Sequence, residues 1–253
     1  MYSDMSMKVL QAIARSYGVK GTLLSVGSDA KTTKGEKVGI KTAILYLMPD
    51  DRLCPMARLA GCRESCLVSA GRAERIKTIN MARKARTDLF HANRELFVEI
   101  LRREVLSRQK SAHKLGMDFA VRLNGTSDID WSTVRGEDGL NVFEAFPGVQ
   151  FYDYTKRPSV LRKASSIRNW DVTASYSGVV EQYATLITRA ATEYGANMAV
   201  VFRGKLPGEF RGIPVINGDE TDLRFKDERG VIVGLKAKGQ AKKDKTGFVQ
   251  EGV

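Results

Sequence analysis

The sequence predicts an α/β fold, a partial or closed barrel of about six parallel strands, and three observations lead there. Short apolar, β-prone runs alternate with segments of helical periodicity, and that alternation implies parallel βα units. Nearly every apolar run ends on its C-terminal side in a polar cluster, as the strand ends of a barrel's active face do. With right-handed crossovers, such strands make either an open doubly wound sheet or a barrel, and the repeated polar strand ends favour the barrel.

The elements follow in order. "KTAILYLMP" at 41–49 is the first strand, ended by Pro49. "DLFHANRELFVEILRREVLSRQ" at 88–109 places Leu89, Phe90, Leu96, Phe97, Ile100, Leu101 and Val105 on one side of a single helix. Strands come next at "DFAVRLN" (118–124), "VQFYDY" (149–154) and "WDVTAS" (170–175). The segment 177–197 reads as a helix opened by a Ser177 cap and stopped at Gly195. After it come strands at 198–204 and 213–218, then "GVIVGL" (230–235), a last strand or half of a hairpin with "PVING". The basic stretch 27–37, "GSDAKTTKGEK", has no Walker spacing and reads as a mobile loop. The division expected is one domain over 1–235 and a basic, flexible tail over 236–253.

Composition narrows the functional classes. Hydrophobic residues at 43% and charged residues at 28% describe an ordinary globular chain of 253 residues, yet Lys and Arg (41) exceed Asp and Glu (29), a net charge of +12. That excess points to polyanionic partners. No apolar run reaches the roughly 20 residues of a membrane span, and the N-terminal residues lack a signal-peptide pattern, so no membrane partner and a cytoplasmic location are expected. An odd count of three cysteines argues against a disulfide framework. With two histidines, neither a Ser-His-Asp nor a Cys-His arrangement can be nominated.

All three cysteines, Cys54, Cys62 and Cys66, lie in "CPMARLAGCRESCLVSAGR". Cys62 and Cys66 are spaced to share a face of one helical turn, and Cys54 can return to them from the loop after the first strand. Three converging thiolates suit a 4Fe-4S cubane with one iron left open to a small-molecule ligand. Structural zinc would need a fourth ligand, and His91 and His113 have no zinc-finger spacing. Three small buried hydrophobes are the remaining alternative.

A strand running into a three-cysteine loop, followed by βα units with polar strand ends, resembles the radical S-adenosylmethionine superfamily. More closely, "LCPMARLAGCRESCLVSAGR", "ARTDLFHANRELFVEILRREV" and "VRLNGTSDIDW" are similar to a phage-encoded family described either as a gene-product domain or as a replication protein, over residues 22 to 225. The resemblance implies a partial barrel, cluster ligands at Cys54, Cys62 and Cys66, and a strand-end segment at 124–129 that meets S-adenosylmethionine. Seven and then three residues separate the cysteines here, where the common radical-enzyme loop has three and then two. In that reading Asn124, Ser127, Asp128, Asp153, Ser175 and Asn217 hold cofactor and substrate.

The flank of the cysteines is basic: Arg72, Arg75, Lys77, Arg83, Lys84 and Arg86, joined by Lys156 and Arg157 at a later strand end, are candidates to meet nucleic-acid phosphates. Aromatic residues in "FYDYTKR" and "ASYS" either stack bases or serve the fold, Phe151 in the core and Tyr154 as a hydrogen-bonder at the barrel mouth. The carboxylates Asp128, Asp130, Asp153, Asp219, Glu220 and Asp222 are read as salt-bridge partners of Arg122, Arg157, Arg203 and Arg224 rather than as a hard-metal site. Three functions compete: an iron-sulfur protein that binds nucleic acid, a radical enzyme, and a zinc-stapled nucleotide- or carbohydrate-binding barrel.

Overall fold

A computed structural model describes residues 2–27, 30–63, 66 and 77–253. The chain divides into two compact units, Met1–Pro49 with Ile76–Phe151, and Asp50–Arg75 with Tyr152–Val253. Among the described residues, ten strands make a mixed, mostly parallel sheet that is not closed.

In the first unit, helix α1 (Met7–Ser16) is capped by Ser6, whose hydroxyl accepts from the Val9 N–H, and it turns Leu10 and Ala14 inward. Strand β1 (Leu24–Val26) runs antiparallel to β2 (Ile40–Leu45), and helix α2 (Ala30–Glu36) lies between them in sequence. Part of the stretch 27–37 is therefore helical rather than loop, and Ser28 and Asp29 lie outside the described residues. The path onward carries α3 (Lys77–Ala92) and α4 (Arg94–His113) before β3 (Asp118–Arg122) returns parallel to β2. The single helix expected over 88–109 is broken because Asn93 accepts a hydrogen bond from the Leu96 N–H through its side chain and so starts a new helix. Leu96, Phe97, Leu101 and Val105 then form the unit's core, with Phe90 edge-on to Phe97 at 5.2 Å and to Trp131 at 5.8 Å. Short helix α5 (Val142–Ala145) opens with a capping box from Asn141 and Glu144 and leads to β4 (Gln150–Thr155), whose first residues pair parallel with β3.

The second unit takes the remainder of β4, then α6 (Pro158–Ala164), β5 (Trp170–Ser175), α7 (Glu181–Glu193) and β6 (Met198–Arg203). Pro158 sits in the first turn of α6, where its missing N–H costs nothing. Helix α7 starts at Val180 without a side-chain cap, because the Ser177 hydroxyl, expected to open it, accepts from the Val179 N–H instead. Gly195, at φ 64°, ends it as the sequence predicts. Strands β7 (Glu209–Phe210), β8 (Ile213–Asn217) and β9 (Ile232–Lys236) follow in the spatial order β6-β9-β8-β7. Because β8 and β9 are parallel, "GVIVGL" is no hairpin partner of "PVING". Gly234 permits the close fit there: an added Cβ would stand 2.7 Å from the Val215 Cγ1.

Residues 236–253, read from the sequence as a flexible tail, carry the end of β9, a 3-10 turn at Gly239–Lys243 and strand β10 (Val249–Glu251). Strand β10 runs parallel to the outer half of β6, pairing Val249 with Val201, while β5 pairs with Met198 and Ala199. The closed barrel is thus corrected to an open mixed sheet of more strands. Short antiparallel strands, β1 and β7, end the strand order on either side, and their pairing leaves no parallel partner to close a cylinder.

Candidate functional site

The cysteines belong to the second unit. Asp50 organises their approach: its side chain accepts from the Arg52 and Leu53 N–H groups, both at 2.9 Å, and its carbonyl accepts from the Cys54 N–H. Cys62 folds back on Ala57, whose carbonyl accepts from the Cys62 N–H at 3.2 Å and faces its thiol at 3.8 Å. Gly61 makes that turn at φ 60° directly against Val179, where a Cβ would come within 2.5 Å of Cγ2. Cys62 packs on a cluster of Ala237, Ala241, Phe248 and Val249 together with Val179 and Val201. All three cysteines are half-buried, and none is in a disulfide. Among the described residues no group of three or more His, Cys, Asp or Glu side chains is placed to hold a metal, so the convergence expected from the spacing is not seen there.

The strand-end residues fall into two sets. In the first unit Asn124, 3% exposed, is committed to its own loop. Its Oδ1 accepts from the Ser127 hydroxyl at 2.9 Å, the Ile129 N–H at 3.0 Å and the Trp131 indole N–H at 3.3 Å, and its amide donates to the Ile129 carbonyl. Gly125 and Thr126 donate to the Leu45 and Leu47 carbonyls, tying the loop to the end of β2, and Asp128 is buried within it. In the second unit the buried Asp153 accepts from the Trp170 indole N–H at 3.3 Å, and the exposed Asn217 donates to the Glu220 carboxylate. Lys156 and Ser175, predicted for different roles, come together, with the ammonium donating to the hydroxyl at 2.7 Å while lying 5.6 Å from the centre of the Phe248 ring.

The expected basic flank divides. Arg72 and Arg75 lie outside the described residues. Arg83 is buried with its guanidinium 5.1 Å above the Tyr46 ring, and Arg86 donates to the Thr22 carbonyl at 3.0 Å and the Tyr46 carbonyl at 3.4 Å. Burial pushes the Arg86 pKa down, partly offset by Glu104. Lys84 pairs with Asp88 one turn along α3, Lys77 is exposed, and Arg157 takes the N-cap position of α6. Two of the predicted phosphate ligands, Arg83 and Arg86, are therefore internal props of the first unit. The expected carboxylate pairs also change partners: Arg203 meets Glu251, Arg224 meets Asp227, and Asp219 meets Lys238.

The exposed positive charge lies elsewhere. Lys236, Lys242, Lys243 and Lys245 are exposed on and after β9, and Lys205 is exposed after β6. None of these five has a salt bridge among the described residues. The lysine-bearing turn is fixed by Ala241, which packs in the same cluster as Cys62, and by Asp244, which accepts from Thr246 and Val249. From sequence these lysines read as a loose tail, because the apolar anchors among them are isolated residues such as Ala237, Ala241 and Phe248.

Next to β6 is an aromatic cluster. Phe210 stands edge-on to Tyr176 at 5.3 Å and to Phe202 at 5.5 Å, and the Arg211 guanidinium lies over Tyr176 and Phe210 at 5.3 and 5.8 Å. Burial pushes the Tyr176 phenol pKa up, against the pull of Arg211.

Among the described residues no helix is long and apolar enough to cross a membrane. No curated protein and no solved structure matches the chain. A family model described as gene product 88 matches residues 22–252, which extends the expected likeness through β10 and fits a phage-type gene-product family. The chain belongs to the gene product 88 family.

Proposed function

We propose that this chain binds nucleic acid through the lysine-bearing end of its second unit. The observation that carries the reading is the set of exposed, unbridged lysines at 205 after β6, at 236 on β9 and at 242, 243 and 245 on and just after the 3-10 turn, in a chain of net charge +12. Ammonium groups without carboxylate partners keep their counterions available for exchange against phosphates. Affinity for labelled DNA or RNA is expected to fall steeply with salt, and changing the five lysines to Gln should flatten the slope by about 0.7–0.9 for each phosphate no longer neutralised. Absence of binding at low salt overturns the proposal.

A second reading assigns Cys54, Cys62 and Cys66 as thiolate ligands of a 4Fe-4S cluster, with S-adenosylmethionine or another small molecule at the open iron. The placing of three half-buried cysteines, none of them in a disulfide, within one short segment favours it. Bringing the sulfurs together requires the segment to rearrange around the cluster. Anaerobic reconstitution is expected to give a brown protein whose iron and sulfide content collapses in Cys62→Ala. Zinc without iron would select the zinc-stapled alternative, and 5'-deoxyadenosine released on reduction would make the protein a radical enzyme. A colourless, metal-free product removes all of these.

A further inference from the structure

We propose that Tyr176, Phe210 and Arg211 form a slot for an unpaired nucleobase, so that the ligand of the second unit is single-stranded nucleic acid. The inference rests on the nucleic-acid reading above and adds a base-recognition element to it.

Three independent features meet at this point. Arg211, in the turn between β7 and β8, has φ 52°, the only positive value of any non-glycine residue among those described, and Gly212 beside it has φ 78°. Such a conformation is expected of glycine, and where a larger residue holds it the side chain is usually in use. The guanidinium is that side chain's working end: although Arg211 is exposed, it lies over both aromatic rings. A planar cation on aromatic rings occupies the position a planar base would take, and arginine also stacks on bases.

The second feature lies beneath it. Tyr176 is 1% exposed, and its hydroxyl has no hydrogen-bond partner among the described residues. Buried hydroxyls are nearly always paired, so this one calls for an explanation. The third is the setting of that oxygen: a Cβ on Gly178 would stand 3.5 Å from it but only 3.0 Å from the Gln250 Nε2 and 3.1 Å from the Gly247 carbonyl, so the Gln250 amide, which donates to that carbonyl, must swing aside for the edge of a base to reach the phenol. A nucleobase supplies both missing parts, a flat π face for the rings and a ring nitrogen or exocyclic group for the phenol. In a duplex the faces are covered by neighbours and the pairing edge is occupied, which is why the slot selects an unpaired base. Phe202, edge-on to Phe210, holds the platform in place. The guanidinium then closes over the outer face of the base or moves to a phosphate.

The test uses the full chain and three probes at one low salt concentration: a mixed-sequence single strand, an abasic strand of equal length and charge, and a duplex. The single strand should bind tighter than the other two. Tyr176→Phe keeps the ring and removes only the unpaired hydroxyl; it should leave the thermal midpoint unchanged or raised, yet weaken single-strand binding roughly fivefold. Phe210→Ala should weaken it roughly tenfold or more. Arg211→Gly, at a φ that glycine prefers, should keep the fold and still lose several-fold, which keeps the test decisive if Phe210→Ala unfolds. Abasic binding should be insensitive to Tyr176→Phe and Phe210→Ala, and Arg211→Gly should cost the base-bearing strand more than the abasic one. Equal affinity for abasic and base-bearing strands, or no effect of Tyr176→Phe on the latter, overturns the slot while phosphate binding stands. No binding of any probe overturns both.

Discussion

Replacing Arg224 with methionine is expected to destabilise the second unit by about 3–5 kcal/mol, because it strands a buried carboxylate. The Arg224 side chain is fully buried, its guanidinium is 3.2 Å from the carboxylate of Asp227, itself 7% exposed, and it donates to the Thr221 carbonyl. Gly218 makes room for it, since a Cβ there would stand 2.8 Å from Nη1. Burial pushes the Asp227 carboxyl above its ordinary value; Arg224 is the strongest opposing influence, with Asp171 adding to the rise. The sign follows. A carboxyl raised in the folded state holds a proton that the unfolded chain has released, so stability falls as pH rises from the unfolded to the folded value. Removing Arg224 raises that value further. The loss in Arg224→Met should therefore be largest at neutral pH and shrink towards pH 4, as urea unfolding at a series of pH values would show. Arg224→Met with Asp227→Asn should recover most of it; equal loss in both variants, independent of pH, refutes the account.

Glu104→Ala is expected to cost the first unit about 2–5 kcal/mol. The Leu23 and Leu24 N–H groups donate to its two carboxylate oxygens at 2.9 and 2.8 Å, and all three residues are buried. Truncation leaves both donors without an acceptor and opens a hole between β1 and α4. Burial pushes the Glu104 carboxyl up, while the two backbone donors, Arg108 and Arg86 hold it back. By the same sign, the parent protein should lose some stability as pH rises through the folded value of Glu104. Glu104→Gln, which cannot ionise, should lack that slope while costing less than alanine. Thermal midpoints measured against pH decide it, and an alanine variant as stable as the parent would mean that water replaces the carboxylate.

These two residues also mark where sequence reading stops. The strands were legible because runs such as "WDVTAS" and "MAVVFRG" are short, apolar and β-prone, and the structure places β5 and β6 on them. Nothing comparable announces β7 or β10: β7 is a two-residue strand that turns straight back onto Ile213 and Pro214, and β10 is short and owes its existence to Val201, a neighbour distant in sequence. Closure was misjudged for a related reason: local periodicity reports that a strand exists, not which strand lies beside it. Arg83 and Arg86 looked like phosphate ligands because a charged residue on a helix is usually solvated, and only the tertiary fold turns them onto Tyr46 and Thr22. Asn124, expected to meet a cofactor, has side-chain hydrogen bonds to Ser127, Ile129 and Trp131 in its own loop, a local network that periodicity does not announce.

The interleaving of the two units sets an order of assembly. The first unit has all its residues once synthesis has passed Phe151, whereas the cysteine segment, at 50–75, belongs to a unit whose strands begin only at Tyr152. Until β6, β9 and β10 have been translated, the apolar cluster that receives Cys62 does not exist. The nascent chain therefore carries the Cys62 thiol without this cover until synthesis has passed β10. In that interval it is open to oxidants and to metal donors.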